Sequence, residues 1–367
     1  MATEAILLVG GLGTRLRPLT VSTPKPMLPV AGVPFVAHQL ARLRDAGVRR
    51  VVLATSYRAE VFAGYVGDGA RFGLQVEVVT ESVPLGTGGA LRNVVGRLRS
   101  GPLEPVVVLN GDILSGHDLT GQLSAHADAD AAVTLYLTRV ADARAYGCVP
   151  TGPGGRVTAF LEKVPDPVTD QINAGCYVFR RGVIDAIPAG KVVSVERETF
   201  PQLVASGATV LGFLDSAYWL DVGTPAAFVR GSADLVLGRV GSSALAGLSG
   251  VPGQVLLLPG CQVAAGARVT GGSVVGAGSV VGQGAVVDGS VLLDGAVVGA
   301  RASVVDSVVG VGARVADGAD VREAVIGDRA VVGAGANVVP GARVWVDQVV
   351  AAGATWAGAD EPAGASP

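Results

Sequence analysis

From residue 251 onward, branched apolar residues recur every six positions, and that period leaves the chain few folds to choose from. Val251, Leu257, Val263, Val269, Val275, Val281, Val287 and Leu293 keep the period unbroken. The register slips by one after Leu293 and resumes at Val298 and Val304. It slips again to Val309, Val315 and Val321, and once more to Ile326, Val332, Val338 and Val344. Val, Leu or Ile fills all seventeen positions, and Gly or another small residue usually follows within two or three places. A hexapeptide period predicts a parallel β-helix over 251–350: one short strand per hexad, one apolar side chain inward, a tight turn at each corner. A low-complexity Gly/Ala/Val segment would not hold phase over roughly 90 residues. The segment 351–367, rich in Ala, Gly and Pro, is expected to be a flexible tail.

Residues 1–240 have a different character. Short apolar runs at 5–9, 48–54, 74–80, 106–110 and 131–138 read as strands. Helical patterns at 34–46, 58–66, 86–99 and 118–127 lie between them. That alternation predicts an α/β domain over 1–240 with a Rossmann-like, mostly parallel sheet. Residues 146–180 read as further strands, and 225–237 as a helix opened by Thr224-Pro225.

Composition narrows the function. A net charge of −3 carries no nucleic-acid footprint. The mean hydropathy of +0.49 is high, yet Gly, Asp, Arg or Pro interrupts every apolar run before the ~18 residues a membrane span needs. Cys148, Cys176 and Cys261 are odd in number and widely spaced, which suits neither a disulfide framework nor a zinc motif. With no basic segment ahead of Ala5-Ile6-Leu7-Leu8-Val9, no signal peptide is expected, and a cytoplasmic location is.

The first strand runs into Gly10-Gly11-Leu12-Gly13-Thr14-Arg15-Leu16-Arg17-Pro18-Leu19-Thr20. Glycines let backbone N–H groups approach phosphate oxygens, and Arg15 and Arg17 add bidentate donors. The loop is neither of two common phosphate binders. A dinucleotide fingerprint would need Gly where Leu16 stands and an acid near Ala54-Thr55-Ser56. A Walker A loop would need Gly-Lys-Ser/Thr. An ordinary Gly-rich turn stays open on the loop alone. Next comes Thr23-Pro24-Lys25-Pro26-Met27-Leu28-Pro29-Val30, where prolines on both sides should hold Lys25 in a stiff, extended backbone. The chain has 28 Lys and Arg residues but only three lysines, Lys25, Lys163 and Lys191, so each position invites attention.

Taken together, G-G-L-G-T-R-L-R-P-L-T and P-K-P-M-L-P-V resemble the signature of the sugar-nucleotide pyrophosphorylases, the nucleotidyltransferases that act on sugar 1-phosphates. The resemblance extends along nearly the whole chain and implies a left-handed β-helix for the hexapeptide region. It implies that Arg15 and Lys25 are catalytic, and that Leu8, Gly10, Gly11, Gly13 and Thr14 meet the nucleotide. Asp112, after the strand Val106–Asn110, and Asp221, in Y-W-L-D-V-G-T-P, would hold Mg²⁺. F-L-E-K supplies Glu162 for sugar hydroxyls and Lys163 for the sugar phosphate, with Val164 where the family has Pro. N-A-G-C-Y supplies Asn173, and Tyr146-Gly147 places Gly147 against the sugar. Asp118 is better read as a helix cap, and Cys148 and Cys176 as buried inert thiols.

Glu81-Ser82-Val83-Pro84-Leu85-Gly86-Thr87-Gly88-Gly89 resembles the base-lining loop, with Glu81, Gly86 and Thr87 as nucleotide contacts and its glycines as a second phosphate loop. Uridylyl and thymidylyl members usually carry Gln in place of Glu81. Guanine offers two adjacent donors, which an acceptor-only carboxylate can take together. Glu81 could instead cap the helix near Gly86. Ser194-Val195-Glu196-Arg197-Glu198-Thr199-Phe200-Pro201 resembles a run of the GDP-mannose-forming branch. The implied substrates are GTP and mannose 1-phosphate. The alternatives are uridylyl, thymidylyl or adenylyl transfer to glucose 1-phosphate, or a non-catalytic regulatory subunit. His38, His117 and His126 lie outside every motif, and 251–367 has no histidine for the acyltransferase chemistry that β-helices often carry. The β-helix is expected to serve homo-oligomer assembly.

Overall fold

The computed structural model describes residues 3–248, 250–251 and 254–360. Among them no helix is long and apolar enough to cross a membrane. The chain forms two compact units, Met1–Gly11 with Gln39–Trp219 and Leu12–His38 with Leu220–Pro367.

The first unit is built on one sheet. Gln75–Thr80, Arg50–Thr55, Glu4–Leu8 and Pro105–Asn110 lie side by side in parallel. Ile6, Leu7, Val51 to Leu53 and Val106 to Val108 are fully buried, which is why these strands read as unbroken apolar runs. Beyond Pro105–Asn110 the sheet turns antiparallel through Gln171–Arg180, which also pairs with Val133–Arg139. Val133–Arg139 is parallel to Val210–Leu214, a strand the sequence pattern did not reveal. The sheet is therefore mixed, with its parallel half where the α/β alternation is regular. The helices Ala59–Val66, Gly86–Val94 and Leu119–Asp128 fall where periodicity placed them. The second stops at Val94 and continues as a 3₁₀ turn, Val95–Arg97, short of the expected residue 99. Asp118 does cap its helix, its Oδ1 accepting from Gly121 N at 2.9 Å.

The second unit holds the segment after the first strand, the helix Pro225–Val236 and the β-helix. Thr224 caps that helix by accepting from Ala227 N. Three faces of six parallel strands each stack in coils of 17 or 18 residues, as a left-handed β-helix requires; Gly250–Val251 adds an antiparallel strand to one face. Val275, Val281, Val287, Leu292, Val298, Val304 and their successors to Val344 fill the interior with no exposed surface. The register slip thus falls between Val287 and Leu292, one hexad before the expected place. Adjacent Leu292 and Leu293 are both buried, so the pattern alone could not separate them. Val263 is in register with inward Val281 but stands in the first coil, with no coil before it on that face, and is 38% exposed. The coil also outlasts residue 350: Thr355–Trp356 pairs with Asn337–Val338, so part of the expected tail is a rung. Residues 361–367 of that tail lie outside the described residues.

The short coils need a compensation. In six-residue corners an amide closes a turn to the carbonyl three residues back, as Ser273 N does to Thr270 and Ala342 N to Val339. The corners between Val287 and Leu292, Val304 and Val309, and Val321 and Ile326 are one residue shorter. Their amides at Ser290, Ser307 and Ala324 instead donate to the hydroxyls of Ser273, Ser290 and Ser307, each 17 residues earlier. All three serines are at most 1% exposed. An amide left there without a partner would cost about 1–3 kcal/mol. Ser290→Ala should therefore lower stability by about that amount in urea unfolding. An unchanged midpoint would show that the hydroxyl is dispensable.

Candidate active site

In the first unit the parallel strands end together. Leu8 pairs with Ala54 on one side and Asn110 on the other. The Leu8 carbonyl accepts from Gly111 N at 2.8 Å, so close that a Cβ on Gly111 would lie 2.5 Å from that oxygen. This fixes the turn that carries half-buried Asp112 at the carboxyl end of the sheet, where open α/β sheets collect their ligands. Gly10 lies against the Ser56 hydroxyl and Gly11 has a φ of 108°.

Glu81 is 8% exposed and its Oε2 accepts from Leu85 N at 3.0 Å, closing the turn that precedes the helix Gly86–Val94. Burial raises its carboxyl above the usual range, against the lowering effect of that amide. Two of the glycines expected in a second phosphate loop already spend their amides within the protein. Gly88 N and Gly89 N both donate to the Val193 carbonyl, and Cβ atoms at 86, 88 and 89 would strike the backbone or side chains of Lys191 and Val193. These glycines serve close packing. Thr87 joins the same seam: its hydroxyl donates to Glu196 Oε2 at 2.7 Å and accepts from Val195 N. Ser194 and Glu198 close a capping box around the π-helical turn Val195–Thr199. The tie to Thr87 gives Glu196 of that run a structural role.

On the antiparallel side, Gly147 pairs with Glu162, and a Cβ at 147 would meet Glu162 Oε2 at 2.8 Å and the Phe160 ring at 2.9 Å. Gly147 thus makes room for the carboxylate. Lys163 follows with a φ of 53°, unusual for a non-glycine residue, and its Nζ stands 3.6 Å from Glu162 Oε1. N-A-G-C-Y forms a bulge: Asn173 faces Leu137 while Tyr177 faces Leu135. Gly175 in the bulge has a φ of 75°. Asn173 Nδ2 donates to the Tyr177 hydroxyl, and Trp219 Nε1 donates to the Ala174 carbonyl. Tyr146 and Trp219 meet edge to face.

The second unit brings Arg15, Lys25 and Asp221 together. Arg15 Nη2 is 3.8 Å and Lys25 Nζ 3.9 Å from the two oxygens of the Asp221 carboxylate. Gly13, with a φ of 59°, caps the 3₁₀ turn Thr14–Leu16, and its Cβ would fall 2.9 Å from Lys25 Cβ. The glycine of the loop is therefore needed as much for the lysine as for its own turn. Thr20 Oγ1 donates to the Gly13 carbonyl and closes the loop. Lys25 is not extended: Pro24 is, and Lys25–Met27 forms a 3₁₀ turn. Pro26 sits in its first turn, where a missing N–H is tolerated, so the segment is stiff for a different reason than expected. Gly223, two residues past Asp221, is a further residue of this cluster. A Cβ there would overlap Arg15 Nη2 and lie 2.7 Å from Asp221 Oδ1. The cluster offers acceptor-only carboxylate oxygen, the donor type that hard divalent cations take. Among the described residues no three His, Cys, Asp or Glu side chains converge, so any such ion would draw its other ligands elsewhere.

The histidines are structural. His38 lies between Val30 O and Ser242 Oγ, His117 between Arg42 and Gln122, and His126 beside Thr134. Burial pushes their basicity down to about 4, 2 and 4, so all three are neutral near pH 7. Cys148 and Cys176 are buried free thiols, and burial pushes the Cys176 thiol up to about 12.

The nucleotidyl transferase family model matches residues 4–236, and a second, described as the GMPPB C-terminal domain, matches 251–352. The chain is 58% identical over 248 residues to a mannose-1-phosphate guanylyltransferase of Mycobacterium tuberculosis, covering 67% of this chain and 68% of that one. It is 36% identical over 267 residues to the mannose-1-phosphate guanylyltransferase catalytic subunit beta of Drosophila melanogaster, covering 72% of each. The crystal structure of HddC from Yersinia pseudotuberculosis complexed with GMP-PN superposes with a TM-score of 0.53 at 28% identity, over 63% of this chain and 98% of that one.

The bulge supplies a test of the local geometry. Gly175→Ala forces a side chain into positive φ, 2.9 Å from Ile113 Cγ1 and 3.0 Å from Asn110 Nδ2. It should destabilise the chain by about 1–3 kcal/mol in thermal or urea unfolding. A wild-type melting curve would contradict the packing described.

Proposed function

The chain belongs to the nucleotidyl transferase family, and from that premise we propose that it converts GTP and mannose 1-phosphate to GDP-mannose and pyrophosphate. One observation carries the reading. A chain 58% identical to a mannose-1-phosphate guanylyltransferase sets Arg15 and Lys25 3.8 and 3.9 Å from the two oxygens of the Asp221 carboxylate. The same residues are what the resemblance assigns to phosphate chemistry.

The reaction asks little of proton transfer. The sugar phosphate is already an anionic nucleophile at neutral pH. Its oxygen forms the new bond to the α-phosphorus while the bond to the departing pyrophosphate breaks. No base is needed, in keeping with three buried, neutral histidines. Catalysis then rests on positioning and charge neutralisation. Arg15 stabilises the departing pyrophosphate and Lys25 sits on the reacting phosphates. Lys163 aligns the incoming phosphate, while Glu162, Asn173 and Gly147 hold the sugar. Leu8, Gly10, Gly11, Gly13 and Thr14 present backbone to the nucleotide, and Gly86 and Thr87 frame the base. The family works with a divalent metal; we assign Mg²⁺ here, with Asp112 and Asp221 as its carboxylates, supplying charge neutralisation at the phosphates. Glu81 reads guanine with the acceptor capacity that the Leu85 amide leaves over.

Arg15→Ala or Lys25→Ala should lower kcat by roughly 10²–10⁴, if each supplies ~3–5 kcal/mol to the transition state. The assay is pyrophosphate release over a grid of GTP, UTP, dTTP and ATP against mannose and glucose 1-phosphates. Near-wild-type turnover in Arg15→Ala would sink the assignment of that residue, and a preference for UTP would sink the Glu81 argument. Glu81 also predicts a pH dependence. Its carboxyl is raised by burial, and protonation turns an acceptor oxygen into a donor that guanine N–H groups cannot use. KM for GTP should therefore climb on acidification, starting above the pH at which an ordinary glutamate protonates. Glu81→Gln should abolish that climb and weaken discrimination for GTP.

A further inference from the structure

Arg343 belongs to the β-helix strand Arg343–Val344, yet its side chain leaves the coil for the loop that carries Arg15. Nη1 donates to the Arg17 carbonyl at 2.6 Å and Nη2 to the Arg15 carbonyl at 2.9 Å. The two carbonyls flank Leu16, which is 1% exposed. They lie at the end of a 3₁₀ turn, where carbonyls lack helical partners. The guanidinium fork matches two such acceptors as no single donor can. Arg343 is itself fixed by the following coil: its N–H donates to the Gly358 carbonyl, and its carbonyl accepts from Trp356 Nε1 at 3.0 Å. A second tie runs parallel, Ser22 Oγ donating to Asp328 Oδ2 at 2.9 Å. Asp328 is buried, and its other oxygen accepts from Val311 N within the coil.

We propose that Arg343 is a positioning residue for Arg15: the β-helix holds the backbone of the phosphate loop so that the Arg15 side chain works from a fixed root. The inference rests on the reading of Arg15 as the group that meets the departing pyrophosphate. That side chain is 63% exposed, so little besides its backbone restrains where it begins. A long cation on a loose backbone must be ordered at the moment of reaction, and the ordering raises the barrier. The bond to the Arg15 carbonyl is exposed and the one to Arg17 part-buried, so loss of the fork frees the Arg15 end of the loop first. It leaves the nucleotide with a cation of the right charge in the wrong place.

The test is a double-mutant cycle in the full chain, read by steady-state kinetics with GTP and mannose 1-phosphate. Arg343→Ala should lower kcat about 10- to 100-fold, with KM for GTP changed far less and the melting temperature close to wild type. Arg343→Lys, which keeps the charge but loses the fork, should recover only part of the rate. In the Arg15→Ala background the Arg343→Ala change should slow the enzyme no further, because the two act as one unit. Wild-type kcat in Arg343→Ala would overturn the proposal. So would an equal fold-loss in both backgrounds, the mark of a general structural role. If Arg343→Ala fails to fold, Arg343→Lys and Arg343→Gln enter the same cycle and are judged by the same criterion. Wild-type turnover in Arg15→Ala alone would remove the functional reading, and this inference with it. A slow Arg15→Ala beside a normal Arg343→Ala would remove this inference only.

Discussion

Every backbone N–H and C=O that leaves water must find a partner, and in this protein that requirement decides where the chemically useful side chains stand. In the β-helix, corners one residue short lose a turn bond, and a buried serine hydroxyl from the preceding coil replaces it. In the first unit, the amides of Gly88 and Gly89 are consumed by the Val193 carbonyl. Glu81 gives one oxygen to the Leu85 amide before it can offer anything to a base. In the second unit, two carbonyls at the end of the Thr14–Leu16 turn are taken up by Arg343. Each of these bonds is ordinary in strength. Their effect lies in what they fix: the coil register, the helix that follows Glu81, and the root of Arg15.

What could be read in the sequence follows the same division. Periodicity reports side chains that face one way, so the hexads and the α/β alternation were plain. Direction is not in the period. Nothing local marks Gln171–Arg180 as antiparallel to Pro105–Asn110, or Val210–Leu214 as a strand beside Val133–Arg139. The period alone puts the register slip one hexad too late, because Leu292 and Leu293 are both apolar and both buried. Glycine is a sharper but ambiguous mark. It signals that something comes close, without saying what. At Gly13 the neighbour is Lys25, twelve residues on; at 86–89 it is the segment Lys191 to Val193. Local composition gave the two loops the same appearance. Arg343 is the extreme case. It occupies an ordinary hexad position next to an anchor residue, and only the fold brings it to the Arg15 and Arg17 carbonyls.

The charges divide by the same logic. Arginine in this chain is mostly a connector. Arg50 joins Glu4 to Glu77, Arg329 grips Asp347 with two nitrogens, and Arg343 spans two carbonyls. A planar fork suits that work, because it gains two directed bonds for the ordering of one side chain. Lysine offers a single compact charge with no fixed direction. Lys25 is 13% exposed at the start of a proline-stiffened turn, beside the Asp221 carboxylate. Lys163 stands on a left-handed backbone next to Glu162. Both are points of charge held near a carboxylate, which suits a phosphate that must be attracted without being locked in one orientation. Lys191 differs from them. What it contributes is its backbone carbonyl, against which Gly89 packs. Scarcity of lysine therefore points to a chemical preference where the ammonium meets a carboxylate, as at Lys25 and Lys163.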